Sequence, residues 1–114
     1  MNLRETILSA DDLGSEIINV PEWGVTVEIR GLTVEQRAHV METAYIDDKI
    51  DSVKLNRELI ITCLYDPETG ERIFTNADGD VIIKKNSGVV ESLCKIASKL
   101  SGLAPDSQKE SEKN

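Results

Sequence analysis

The chain has 114 residues, enough for one domain, and area scaling gives such a chain a core that hides about two-thirds of its unfolded surface. Lys and Arg number 13 against 21 Asp and Glu, a formal charge of -8, and phosphate recognition needs clustered cations, so nucleic acid is excluded as the expected partner. The same negative charge disfavours an acidic membrane surface, no apolar run approaches a bilayer span, and the polar start Met1-Asn2-Leu3-Arg4-Glu5 has no signal-peptide core. Aromatic residues are 4% of the chain, so the core must be built from Ile, Leu and Val. Cys63 and Cys94 lie in apolar runs and read as two buried thiols in a reducing cytoplasm.

In chain order, Leu3, Ile7 and Leu8 mark one face of a short helix that Asp11-Asp12 and Gly14 end. Two strands follow, 16–20 and 25–30. In the second, Val25, Val27 and Ile29 alternate with Thr26, Glu28 and Arg30, the period of a half-buried strand. Pro21, Glu22, Trp23 and Gly24 supply the turn of a β-hairpin. Thr33-Val34-Glu35-Gln36 fits a capping box, and Val34, Ala38, Met41 and Tyr45 predict an amphipathic helix over 34–47. Asp47, Asp48 and Asp51 make a polar break. Ser52 is positioned to cap the next helix, whose Val53, Leu59, Ile60, Cys63 and Leu64 make it the most apolar and central one.

Asp66-Pro67-Glu68-Thr69-Gly70 stops that helix, and Ile73 and Phe74 are anchors after the turn. Thr75 or Asn76 can cap a short helix reaching Ile83, whereas the β-branched run from Val81 fits a strand over 81–84, and both readings stand. Ser87 is placed to cap a last helix with the face Val89, Val90, Leu93, Ala97 and Leu100. Gly102 fits a left-handed C-terminal position, with Leu103 folding back. Residues 104–114 lack any large apolar side chain and are expected to be a disordered polar tail behind a single domain over 1–103. The fold class is α+β: an N-terminal β-hairpin on three to four helices.

Reactive chemistry has little to work with. His39 is the single histidine, placed toward the polar side of its helix, where a solvated side chain is the ordinary reading. The cysteines form no CxxC pair, and Asn76-Ala77-Asp78-Gly79-Asp80 fits no register of a calcium loop but does fit a turn and helix cap. No Gly-rich phosphate loop occurs. No catalytic residue, cofactor or metal is expected, and the chain reads as a binder, not an enzyme. Trp23, isolated in its turn, either packs over a core edge or anchors a partner.

Three blocks carry a family resemblance. Ile7-Leu8-Ser9-Ala10-Asp11-Asp12-Leu13 opens it. Val20-Pro21-Glu22-Trp23-Gly24-Val25-Thr26-Val27, running into Arg30-Gly31-Leu32-Thr33, is the most specific. Phe74-Thr75-Asn76-Ala77-Asp78, then Lys85, Leu93 and Leu100-Ser101-Gly102-Leu103, closes it. In this order, from 7 to 103, they resemble the tail assembly chaperones of bacteriophages with long, flexible, non-contractile tails. Gly79 departs from the pattern and counts against a helix there.

The resemblance implies a protein that coats the tape measure protein, keeps it soluble in the host cytoplasm, helps major tail (tube) subunits polymerise around it, and is absent from the finished virion. It also implies, in many such families, a longer frameshifted form. A second copy of the chain is a further candidate partner. The rival function is a structural tail or head-tail connector component. Trp23, the open edge of the hairpin, Ile82, Ile83 and Leu103 are the candidate partner contacts, each with a core-packing reading beside it.

Overall fold

The computed structural model describes residues 2–103, so the expected polar tail over 104–114 lies outside the described residues. The order is α1 (Leu3–Ser9), β1 (Ser15–Val20), β2 (Val25–Arg30), α2 (Val34–Ala44), β3 (Tyr45–Ile46), β4 (Lys49–Ile50), α3 (Ser52–Cys63), β5 (Leu64–Tyr65), a 3-10 turn (Asn76–Asp78), α4 (Gly79–Ile82) and α5 (Ser87–Leu100). The fold is α+β, with the expected hairpin against a helical cluster.

β1 and β2 pair antiparallel, Ile18 opposite Val27 and Val20 opposite Val25. Alternation places Val27 and Ile29 inward, where both are buried, and leaves Thr26 exposed on the other face. β5 extends the sheet as a third strand through Glu28–Tyr65 and Ile29–Leu64, so β1 keeps a free edge. Gly31 N–H donates to Gly14 O at 2.9 Å and closes the open end of the hairpin.

α3 is central and packs against α2, α4 and α5. Its stretch from Glu58 to Cys63 is buried on every side, as its composition predicts, although Val53 at its start is exposed. α5 buries Val89, Val90, Leu93, Cys94 and Ala97, with Leu100 packed at the margin of the core. It ends as predicted: Gly102 has φ 73°, Gly102 N–H donates to Lys99 O at 3.3 Å, and Leu103 N–H donates to Ser98 O at 2.7 Å, while Leu103 packs on the core.

Four local expectations are corrected. α2 stops at Ala44, not 47, because Asp47 and Asp48 both take left-handed backbone (φ 51° and 64°) and turn Tyr45-Ile46 back onto Lys49-Ile50 as a two-residue hairpin loop. Aspartate tolerates that conformation better than most residues. The buried face of α2 is Val40 and Ala44; Val34 is 90% exposed, and Ala38 and Tyr45 are exposed too. The caps of α3 and α5 lie one residue earlier than expected. Asp51 Oδ1 accepts from Lys54 N–H at 3.0 Å and Asn86 Oδ1 from Val89 N–H at 3.2 Å, so Ser52 and Ser87 are first helical residues. The Thr33–Gln36 capping box is present with both of its hydrogen bonds. Residues 79–82 are helical, which excludes the strand over 81–84.

Both thiols are free and buried. Burial pushes Cys63 up from an ordinary 9.0 to about 12, with Arg72 pulling weakly the other way. Burial does the same to Cys94, also to about 12, reinforced by Cys63 and Glu91. Between these values the unfolded chain releases thiol protons that the folded chain keeps. Stability present below pH 9 is therefore lost as pH rises from about 9 to 12, by roughly 1.4 kcal/mol per pH unit for each thiol. Denaturation at a series of pH values is expected to show this fall, and a Cys63→Ala, Cys94→Ala double variant is expected to fall less steeply.

Candidate partner-binding groove

The hairpin turn places Trp23. Trp23 N–H donates to Val20 O and Gly24 N–H to Pro21 O, both at 3.1 Å, and Gly24 takes φ 65° to rejoin β2. Proline presets the first bend, and glycine accepts the left-handed position without a side-chain clash. Trp23 is thereby laid half-buried over the core edge. Opposite it, the Asp78 carboxylate accepts Thr75 N–H at 2.8 Å, starts the 3-10 turn and leads into α4. Position 79 is buried, and a Cβ there would overlap the Arg57 guanidinium, so glycine suits it.

Two cavities flank α4. One, of about 280 Å³, is lined by Trp23, Phe74, Asp78, Val81, Ile82 and Lys85. The other, of about 150 Å³, is lined by Val53, Asn56, Arg57, Ile82, Ile83, Lys85, Ser87, Val90 and Glu91. Ile82 and Lys85 belong to both, so the two adjoin at α4 and together outline a candidate groove. Each is below the roughly 300–1,000 Å³ of small-molecule sites, a size suited to apolar side chains. Val81 and Ile83 stand exposed on either side of buried Ile82.

The structure thus brings together Trp23, Ile82 and Ile83, and it leaves Leu103 apart. Leu103 follows the C-terminal end of α5, where Ser101 Oγ accepts Leu32 N–H at 2.9 Å. Glu91 is the last residue of α5 that lines the groove, and the nine further residues to Leu100, about 14 Å of helix, separate it from that end. Val53, Arg57, Phe74, Val81, Lys85 and Val90 line the groove too, with the polar Asn56, Asp78, Ser87 and Glu91. Of these, Phe74 and Lys85 stood in the sequence as members of the third family block.

A third, polar cleft holds Glu35, Gln36, His39, Glu58, Thr62 and Arg72. His39 Nε2 lies 3.7 Å from Glu58 Oε1, and the His39 side chain is 64% exposed while Glu58 is buried. Arg72 is committed elsewhere: its Nε and Nη2 donate to Ile61 O at 3.1 and 3.0 Å, near the end of α3. Among the described residues no hydroxyl or thiol hydrogen-bonds His39. Nor do the described residues hold a cluster of three His, Cys, Asp or Glu side chains for a metal. None of their helices is long and apolar enough to cross a membrane.

The model of a protein family described as phage tail assembly chaperone matches residues 2–114, essentially the whole sequence. The chain belongs to that family. The structure of the bacteriophage HK97 tail assembly chaperone superposes with a TM-score of 0.61 over 85% of this chain and 95% of that one. At 20% identity, that likeness speaks for a shared fold. No curated protein sequence matches the chain significantly.

Proposed function

We propose that this tail assembly chaperone acts by binding alone: in the host cytoplasm it covers apolar helical stripes of the tape measure protein, keeps that protein soluble, promotes assembly of tube subunits around it, and departs before the virion is complete. The observation that carries this reading is the groove formed by Trp23, Phe74, Val81, Ile82 and Ile83 around α4. Amphipathic helices dock by setting apolar side chains, spaced three or four residues apart, into such grooves. A net charge of -8 adds solubility to whatever is coated. The interface expected from two small cavities is modest, which suits a partner that must later be released. Nucleic acid and membrane have no part in this reading.

Co-expression with the tape measure protein of the same genome tests it. That protein is expected to move from the pellet to the soluble fraction with this chain, and to stay in the pellet with a Val81→Asp, Ile83→Asp variant. Both side chains are exposed, so the variant is expected to keep its fold by circular dichroism. Unchanged aggregation with the parent chain would remove the proposal. Mass spectrometry of purified virions is expected to find the chain missing; a stoichiometric amount would favour a structural tail or connector role instead.

A further inference from the structure

Glu58 and Thr62 are the two polar residues that the described part of the chain buries, at 4% and 7% exposure. They stand i, i+4 on α3, so they share one side of that helix, and both line the polar cleft of about 390 Å³. A buried carboxylate is ordinarily met by hydrogen-bond donors, because losing water without such replacement is costly. Among the described residues none donates to Glu58. The one basic group within 4 Å is His39 Nε2, at 3.7 Å, too long for a hydrogen bond. The Thr62 hydroxyl has no hydrogen-bond partner among the described residues either.

The rest of the lining does not supply the missing donors. Arg72 directs two of its N–H groups at Ile61 O, and Glu35, which is exposed, adds a second carboxylate. The described residues hold no set of three His, Cys, Asp or Glu side chains placed for a metal ion. The cation that suits the cleft therefore brings its own N–H donors, as an ammonium or guanidinium does. The cleft also has an apolar neighbour. A cavity lined by Arg72, Phe74, Thr75 and Asn76 shares Arg72 and Asn76 with the polar cleft and Phe74 with the Trp23 cavity. The buried carboxylate and the surface beside α4 thus adjoin across the one segment 72–76.

We infer that this cleft receives a lysine or arginine side chain of the client protein, whose cation pairs with Glu58 while neighbouring apolar residues lie beside α4. The inference rests on reading the surface beside α4 as the client site. It adds a selection rule that an apolar surface lacks: a basic residue next to the apolar stripe. A client without that residue leaves the carboxylate desolvated and unpaired, which is what makes such a contact selective.

Titration of the full chain with n-butylammonium chloride, followed by NMR, tests the cleft, with sodium n-butyrate as the control. The ammonium is expected to give saturable shifts at Glu58 and Thr62, and butyrate none there. Glu58→Gln keeps the shape of the side chain and removes its charge. It is expected to abolish the saturable shifts while leaving the unfolding midpoint at or above that of the parent, since a buried charge is itself costly. Capture of the tape measure protein of the same genome is expected to weaken at least about tenfold with Glu58→Gln, and by less with Glu35→Gln at its exposed position. Ammonium shifts that follow the surface carboxylates and spare Glu58 and Thr62 would overturn the inference. So would a Glu58→Gln chain that captures the client as the parent does; both results leave the proposed function standing. A parent that binds the ammonium at Glu58 yet leaves the tape measure protein aggregated would remove the proposed function and keep the cleft as a site for a basic side chain.

Discussion

Ile60→Ala is expected to lower the unfolding free energy by about 2–5 kcal/mol, measured by chemical denaturation. Ile60 has no exposed surface and sits where α3 is buried on every side, so neighbouring helices cannot close over the lost methylenes without moving one another. Domains of this size hold only about 5–15 kcal/mol in total, so this one change removes a large share. Val53→Ala, on the same helix but 56% exposed, is expected to stay within about 0.5 kcal/mol. A similar loss at both positions would mean that the buried segment of α3 is not the centre of the core.

Gly31→Ala is expected to cost about 1–3 kcal/mol by overpacking. A Cβ at residue 31 would lie 2.7 Å from Leu100 O and 3.1 Å from its carbonyl carbon. Those are backbone atoms at the end of α5, and they are held in place: Ser101 Oγ accepts Leu32 N–H at 2.9 Å and donates to Ala97 O at 2.7 Å. The substitution must therefore part β2 from α5. Hydrogen exchange at Leu32 N–H is expected to speed up with the loss of stability, whereas exchange at the groove end of α5 is expected to change less.

The hairpin, the capping box of α2 and the glycine-terminated end of α5 were legible in the sequence because each is a local device whose signal and cause lie within a few residues. α2's face was not. Its apolar residues form no single stripe, and only packing against α3 decides that Val40 and Ala44 turn inward while Val34 faces water. The strand β5 was hidden for a similar reason: two residues that read as the end of an apolar helix gain a second identity from the open side of β2. At Gly79 the sequence pointed the wrong way. Glycine weakens a helix locally, but here it is the residue that lets α4 lie against Arg57. Of the groove, Trp23 and Ile82-Ile83 were readable as separate candidates. Their meeting was not, since it depends on the turn and α4 approaching each other across some sixty positions of chain.

The two cysteines have a practical corollary. Because both sulfhydryls are sealed inside and held protonated far above neutral pH, maleimide reagents have nothing to attack on the native molecule. A single cysteine introduced at Val34, where the side chain is almost wholly in water, would be the one reactive handle, and the natural pair could stay in place. Fluorophores or spin labels attached there would report on assembly and client capture without first engineering a cysteine-free background.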